Sequence, residues 1–266
     1  MPENSFQPSF SKAFRLVLTL LRSSPQSITP KKFLAELASV ISKSSGKTFS
    51  PNKEHDVPEV LSHVLDNLCG TSAVLRKSIT TTNCVRLTCN ECNTERIAEE
   101  DPLKIIPLPV KDSIQSALNS YNHSEILQGT NALECDACNK KTDTIRDSWF
   151  SELPDVLFLQ LRRFFRDDDG ILRKNLEQVS FGEVINVPLI LDQEVMVPKL
   201  CPYSLRAIIY HSGPYGKGHY TANIKYNNSN KWMHCNDSAV FFLNEDCTKS
   251  SNTPKTPYVF VFAKSE

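Results

Sequence analysis

YSLRAIIYHSGPYGKGHYTANIKYNNSNKWMHCNDSAV, residues Tyr203 to Val240, is the stretch on which the reading of this chain turns. Apolar and polar residues alternate from Tyr203 to His211, the period of a half-buried strand. Glycines at 213, 216 and 218 then open a loop from Ser212 to Gly218. A second strand follows His219 and runs to Tyr226. Asn227 to Asn230 is a polar turn, and the chain returns through Lys231 to Asn236. If that turn closes an antiparallel hairpin, pairing outward from Tyr226 and Lys231 sets His219 opposite Ser238. Asn236 and Asp237 then lie within about two residues, roughly 7 Å along a strand. The His219 imidazole is thus within reach of the Asn236 amide or the Asp237 carboxylate. Such a partner fixes the tautomer and leaves the other ring nitrogen to take a proton from a nucleophile. A hydrogen-bonded strand-end histidine beside an ordinary glycine loop is the plainer alternative, and geometry alone leaves both open. His211 ranks below His219, because no acidic or amide partner is placed opposite it.

Working outward, Val156 to Phe164 alternates with Leu157, Leu159 and Leu161 on one face, and Tyr258 to Phe262 reads as a further strand. Upstream the period changes. Phe14, Val17, Leu18 and Leu21 follow helical spacing, as do Phe33, Leu34, Leu37, Val40 and Ile41. Thr29-Pro30 is a good helix start, an N-cap threonine before proline. A third helix is expected from Val57 to Leu68, with Pro58 in its first turn and Gly70 ending it. Ser42 to Lys53 is polar and contains Gly46 and Pro51, so it reads as a loop. Short strands are expected over residues 78–110 and from Thr142 to Phe150, with a helix from Ser113 to Tyr121 between them. Helices first and strands later give an α+β protein with a mostly antiparallel sheet.

Four of the nine cysteines form two C-x-x-C pairs, Cys89-Cys92 (CNEC) and Cys135-Cys138 (CDAC). An odd total with paired spacing argues against a secreted disulfide framework and for metal. Two tight turns brought together supply the four-sulfur tetrahedron that Zn2+ prefers, and four thiolates leave no open position, so the site is expected to be structural. The pairs are 42 residues apart, so the chain between them must make a hairpin-like excursion and return. Two unrelated turns with buried thiols are the alternative. Cys69, Cys84, Cys201, Cys235 and Cys247 have no ligand spacing and read as small core residues or inert thiols.

Lysine plus arginine equals aspartate plus glutamate, 30 of each, so the net charge is zero. That argues against nucleic-acid binding as the main task, which needs a basic surface. No window approaches the roughly 18 apolar residues of a membrane span, and no signal-peptide pattern opens the chain. A soluble intracellular protein, cytoplasmic or nuclear, is expected, with no membrane partner.

Taken together, the paired C-x-x-C units, LPDVLFLQLRRFF (Leu153 to Phe165), HSGPYGKGHYTANIKY with WMHCNDSAV, and TPYVFVFAK resemble the ubiquitin-specific protease catalytic domain, a papain-like family of thiol hydrolases. EHDVPEVLSHVLDNL, Glu54 to Leu68, is more weakly similar to the family's Gln-Gln-Asp helix. The resemblance implies an α+β hand across residues 1–266: a partial helical thumb over about 1–76, zinc-bearing fingers over 77–150 and an antiparallel palm over 151–266. It implies His219 as general base, Asn236 as its orienting partner with Asp237 beside it, and ubiquitin or a ubiquitinated protein as partner. Asp56, Glu59, Gly213, Gly218 and Tyr220 fall where the family meets ubiquitin. Without the resemblance, Asp56 and Glu59 read as a solvated acidic helix start, which the helix dipole favours. Two departures stand out. Glu54 and His55 replace two glutamines, and the family's Asn-Thr-Cys-Tyr nucleophile motif does not occur in this sequence. The expectation is a domain truncated at its N-terminus, whose cysteine is supplied upstream, or a pseudoenzyme that holds ubiquitin without cleaving it.

Overall fold

A computed structural model describes residues 10, 12–16, 19, 31–45, 49, 55–70, 72–121, 124–226, 229–244, 246–248 and 256–265. The Thr29-Pro30 helix start, the Val17, Leu18 and Leu21 positions, and Asn227 in the hairpin turn lie outside them.

Residues 10, 12–16 and 19 are helical, and three further helices follow: α1 (Lys31–Ser45), α2 (Val57–Cys69) and α3 (Ala73–Ile79). Part of the expected stripe packs α1 on α2, while Leu34 is exposed. Leu37, Val40 and Ile41 are buried with Phe10, against half-buried Val60, Val64 and Leu68. Helix α2 begins as its sequence dictates, with Asp56 at the N-cap and proline in the first turn. Helix α3 was not expected. None of its residues is buried, so no apolar stripe marks it. It is set by local capping, the Ser72 Oγ accepting from the Leu75 N–H at 3.4 Å.

The strands follow as β1 (Thr82–Cys89), β2 (Glu95–Glu99) and β3 (Ile105–Leu108), then helix α4 (Ile114–Asn119) and strands β4 (Ser124–Leu127), β5 (Leu133–Cys135), β6 (Lys140–Thr142) and β7 (Thr144–Glu152). Next come β8 (Val156–Leu161), β9 (Phe164–Arg166), β10 (Leu172–Lys174), β11 (Val184–Leu189) and β12 (Lys199–Ser212). The last four are β13 (His219–Lys225), β14 (Trp232–Asn236), β15 (Ala239–Phe242) and β16 (Thr256–Lys264).

Two larger sheets and two two-stranded ones, β9-β10 and β5-β6, organise these strands. A four-stranded sheet runs β2-β1-β7-β4 and ends at the cysteine turns. An eight-stranded sheet runs β15-β14-β13-β12-β16-β8-β3, with β11 also on β12. Every pair in it is antiparallel except β3 with β8. The main core lies on this larger sheet, where Leu159, Leu161, Tyr203, Ile208, Phe260 and Phe262 pack with Ile114, Ala117 and Leu118 of α4. Burying such side chains contributes about 1.5–3 kcal/mol each, so the sheet carrying His219 stands on the most heavily stabilised part of the chain.

Arg163 is fully buried just after β8. Its Nε donates to the Pro257 carbonyl at 2.7 Å, and Nη1 donates to the Asn175 and Glu177 carbonyls at 3.0 Å. Burial pulls its pKa down to about 10. This guanidinium ties the β9–β10 hairpin to β16, beside the histidine loop. Among the described residues, no helix is long and apolar enough to cross a membrane.

Candidate active site and metal centre

The hairpin register is the one the turn requires: Lys225 faces Trp232, Asn223 faces His234 and Ala222 faces Cys235. Pairing does not continue to Ser238. Asp237 takes a positive φ of 50°, and the chain turns back into β15, with Ala239 opposite Asn236. Short polar residues tolerate that left-handed conformation. The turn holds Asn236 at the strand end, where its Oδ1 lies 2.6 Å from His219 Nε2. The Asp237 carboxylate is 4.0 Å from the same nitrogen and its side chain is 82% exposed. An amide oxygen only accepts, so Nε2 carries the proton and Nδ1 presents a lone pair. The hairpin holds a second His–Asn pair, His234 Nδ1 with Asn223 Oδ1 at 2.7 Å, but it is buried in the sheet. Burial separates the two: the His219 side chain is about half exposed, open to solvent.

Beside His219, Tyr220 reaches toward α2. Its hydroxyl donates to Asp56 Oδ1 at 3.3 Å, and the Tyr258 hydroxyl donates to the same oxygen at 3.0 Å. Asp56 is therefore not a solvated helix start, and its side chain makes no cap. Burial pushes its pKa up, partly offset by the Tyr258 and Tyr220 donors. A cavity of about 200 Å³ is lined by Asp56, Glu59, Phe164, His211, Tyr215 and Tyr220. A second, of about 410 Å³, continues along α2 past Asp56, Glu59, Lys104 and Gln160. The two share Asp56 and Glu59, so a cleft follows the boundary between helices and large sheet and reaches the residue after His219.

Sequence reasoning missed three members of this region. Tyr258 sits in an apolar strand, where only its tertiary position reveals the hydroxyl's task. Tyr215 edges onto Phe164 at 5.3 Å between ring centroids. Lys174 ends β10, and its Nζ meets His211 Nδ1 at 2.9 Å and the His211 carbonyl at 2.8 Å. The sequence places no acidic or amide partner opposite His211; the structure supplies an amine instead, from a hairpin 37 residues away. Burial, then the Arg163 charge, pulls the Lys174 amine below the ordinary lysine pKa.

The glycine loop is sterically fixed at two points. Gly213 has φ +96°, and a Cβ there would lie 2.6 Å from the Lys217 carbonyl. A Cβ on Gly218 would lie 2.1 Å from His211 Nε2 and 2.5 Å from the Ser212 carbonyl. Only glycine fits either position without movement.

At the far end of the smaller sheet, Cys89, Cys92, Cys135 and Cys138 converge, all four sulfurs within 4.8 Å of one another. Cys89 Sγ lies 3.9 Å from Cys138 Sγ, and Cys92 Sγ 3.6 Å from Cys135 Sγ. Left-handed residues follow each pair, Asn93 at φ 57° and Asn139 at φ 52°. The Thr142 hydroxyl, 3.2 Å from Cys89 Sγ, leads the lowering of that thiol to about 6, while the neighbouring sulfur of Cys92 leads the rise of Cys138 to about 12. The excursion between the pairs returns as expected, and the four residues can hold one metal ion.

The family model for ubiquitin carboxyl-terminal hydrolase matches residues 2–262. The chain belongs to this family. A probable ubiquitin carboxyl-terminal hydrolase FAF from Drosophila melanogaster is 30% identical over 159 residues, 51% of this chain and 6% of that protein. Ubiquitin carboxyl-terminal hydrolase 3 from Homo sapiens is 32% identical over 138 residues, 50% of this chain and 26% of its own length. Ubiquitin carboxyl-terminal hydrolase 25 from Arabidopsis thaliana is 28% identical, covering 66% of this chain and 26% of the relative. The matches thus span about a quarter or less of these relatives. A solved SAGA DUB module with Ubp8, bound to monoubiquitin, superposes with a TM-score of 0.76 at 21% identity, covering 97% of this chain and 59% of that one. This likeness establishes the fold: an α+β ubiquitin-specific protease domain with antiparallel sheets and a four-cysteine cluster.

Proposed function

We propose that this domain recognises the C-terminal tail of ubiquitin and carries the general-base half of a thiol-hydrolase site, with His219 as base, Asn236 as its orienting partner and Asp237 beside them. The observation that carries the reading is the 2.6 Å His219–Asn236 contact at the end of a cleft walled by Asp56 and Tyr220. The Asn236 bond holds the imidazole with Nδ1 available, which is what a base needs toward a thiol. Asp56 and Glu59 give the cleft negative charge, suited to a cationic peptide tail, and Gly213, Gly218 and Tyr220 shape the loop above it. His219 Nδ1 would take the proton of the thiol, and the thiolate would attack the carbonyl carbon of the last ubiquitin residue. The protonated imidazole would then give its proton to the departing amine, and water would release the acyl group.

The nucleophile is proposed to be absent from residues 1–266. Four of the nine cysteines form the cluster; Cys69, Cys84, Cys201 and Cys247 are buried; and burial pushes the Cys235 thiol up. A reactive cysteine needs an exposed, lowered thiol beside the histidine. The buried cysteines favour a second reading, a pseudo-deubiquitinase that binds ubiquitin without cleaving it. The first reading requires a cysteine from outside these residues.

The metal is proposed to be structural Zn2+. Zn–S bonds of about 2.3 Å place tetrahedral sulfurs about 3.8 Å apart, which suits the separations of 3.9 and 3.6 Å. The residues form one domain, with thumb over about 1–76, fingers over 77–150 and palm over 151–266, acting inside the cell on ubiquitin or ubiquitinated proteins and not on nucleic acid or membrane. Calorimetric titration with ubiquitin, and with ubiquitin lacking its C-terminal tail, tests the recognition. Binding lost with the tail is the expected result. Equal binding of both forms, or of neither, sinks the proposal.

A further inference from the structure

We propose that Lys174 is a positioning residue for His219, acting through the buried ring of His211 and the backbone of Gly218; this rests on reading His219 as the general base. The chain of contacts is continuous. Lys174 Nζ has acceptors in His211 Nδ1 at 2.9 Å, the His211 carbonyl at 2.8 Å and the Gly213 carbonyl at 3.2 Å. An ammonium has three protons and no lone pair, so three acceptors match it and Nδ1 must accept. The His211 proton therefore sits on Nε2. That nitrogen faces Gly218, where a Cβ would stand 2.1 Å away. The peptide leading into His219 thus rests directly on the imidazole.

His211 is 1% exposed and wedged between Phe164 and Tyr220, with ring centroids at 5.5 and 4.7 Å. It has little room to absorb a lost partner. Lys174 is itself fixed at its base, because the next residue's carbonyl is held by Arg163 Nη1. The β9–β10 hairpin and the glycine loop are therefore locked together at one amine, and the lock ends one residue before His219. Removing the donor takes the lysine's hydrogen bond away from the His211 ring nitrogen and the Gly213 carbonyl, while the His211 carbonyl keeps the Thr256 hydroxyl at 2.6 Å. The ring can answer by changing tautomer or turning, and either moves Gly218.

The test is long-range 15N–1H correlation of the full chain labelled at histidine. In the wild type, His211 should show a protonated Nε2 and an unprotonated Nδ1. Lys174→Met should abolish this single-tautomer pattern and shift the His219 ring signals as well. Lys174→Arg keeps a charged donor, so it should retain the His211 tautomer while displacing His219. A wild-type His211 protonated at Nδ1 overturns the proposal, with no variant needed. Unchanged His219 signals in a folded Lys174→Met chain overturn it too, even if the melting temperature falls. If Lys174→Met does not fold, the arginine variant decides: unchanged His219 signals there count against the lock. Failure of the wild type to bind ubiquitin would strike the proposed function but leave the tautomer result standing, so the two are distinguishable.

Discussion

Asn236, not Asp237, is the close partner of His219: its Oδ1 lies 2.6 Å from Nε2, while the Asp237 carboxylate stands 4.0 Å off and mostly in solvent. The two are adjacent and both can accept, so the structure separates roles that spacing leaves merged. Asn236→Ala should release the His219 tautomer, with mixed ring-nitrogen protonation in 15N spectra. Asp237→Ala should leave the Nε2-protonated form in place. Asn236→Ala loses one half-buried hydrogen bond, about 1 kcal/mol, and Asp237→Ala puts alanine at φ +50°, which costs roughly 1–2 kcal/mol. Equal effects of both on the tautomer would contradict the assignment.

Gly218→Ala should be costly for its size. The new methyl meets the His211 ring and the Ser212 carbonyl, and overpacking of this kind costs about 1–3 kcal/mol. In a domain of this size each kcal/mol moves the melting temperature by roughly 2–4 °C. Gly216→Ala meets no atom within 4 Å, although its φ of +70° also favours glycine. A larger loss at 218 than at 216 is therefore expected in thermal unfolding, and the reverse order would count against the contact.

Asp56 links stability to pH. Because burial raises its pKa, the folded chain holds this proton more tightly than the unfolded one. Its contribution therefore falls as pH rises from about 4, the unfolded value, through the raised folded value, and is level above that. Asp56→Asn cannot ionise. Its stability relative to wild type should improve across that window, while ubiquitin affinity weakens. Denaturant unfolding at a series of pH values checks this, and a constant gap would argue against a buried, ionising Asp56.

Metal should hold the fingers. β5 and β6 are three residues each and pair only with each other. Removing zinc with a chelator, or Cys135→Ser, should expose residues 124–144 to limited proteolysis while the palm stays protected. Elemental analysis should find about one zinc per chain. A metal-free chain with fully protected fingers would contradict the site.

Much of this architecture was legible from local pattern. The alternation in Tyr203 to His211, the turn before Lys231 and the C-x-x-C spacing are short-range signals, and register and sulfur convergence followed from them. What escaped is set over long range or without apolar patterning. Helix α3 buries nothing. Strand β15 is exposed throughout, so no hydrophobic period marks it, and the chain turns at Asp237 where continued pairing was expected. The Asp56–Tyr258 contact joins residues 202 apart, and Lys174 reaches His211 from a separate hairpin. Such pairings depend on how sheets and helices meet, which composition and period do not encode.

The central claim is that this chain grips the ubiquitin tail beside His219 but brings no nucleophile. Incubation with ubiquitin bearing a thiol-reactive C-terminal group, followed by intact-mass measurement, tests it most directly. The expected result is saturable, noncovalent association with no mass increase. A covalent adduct mapped to any of the chain's own cysteines would contradict the account.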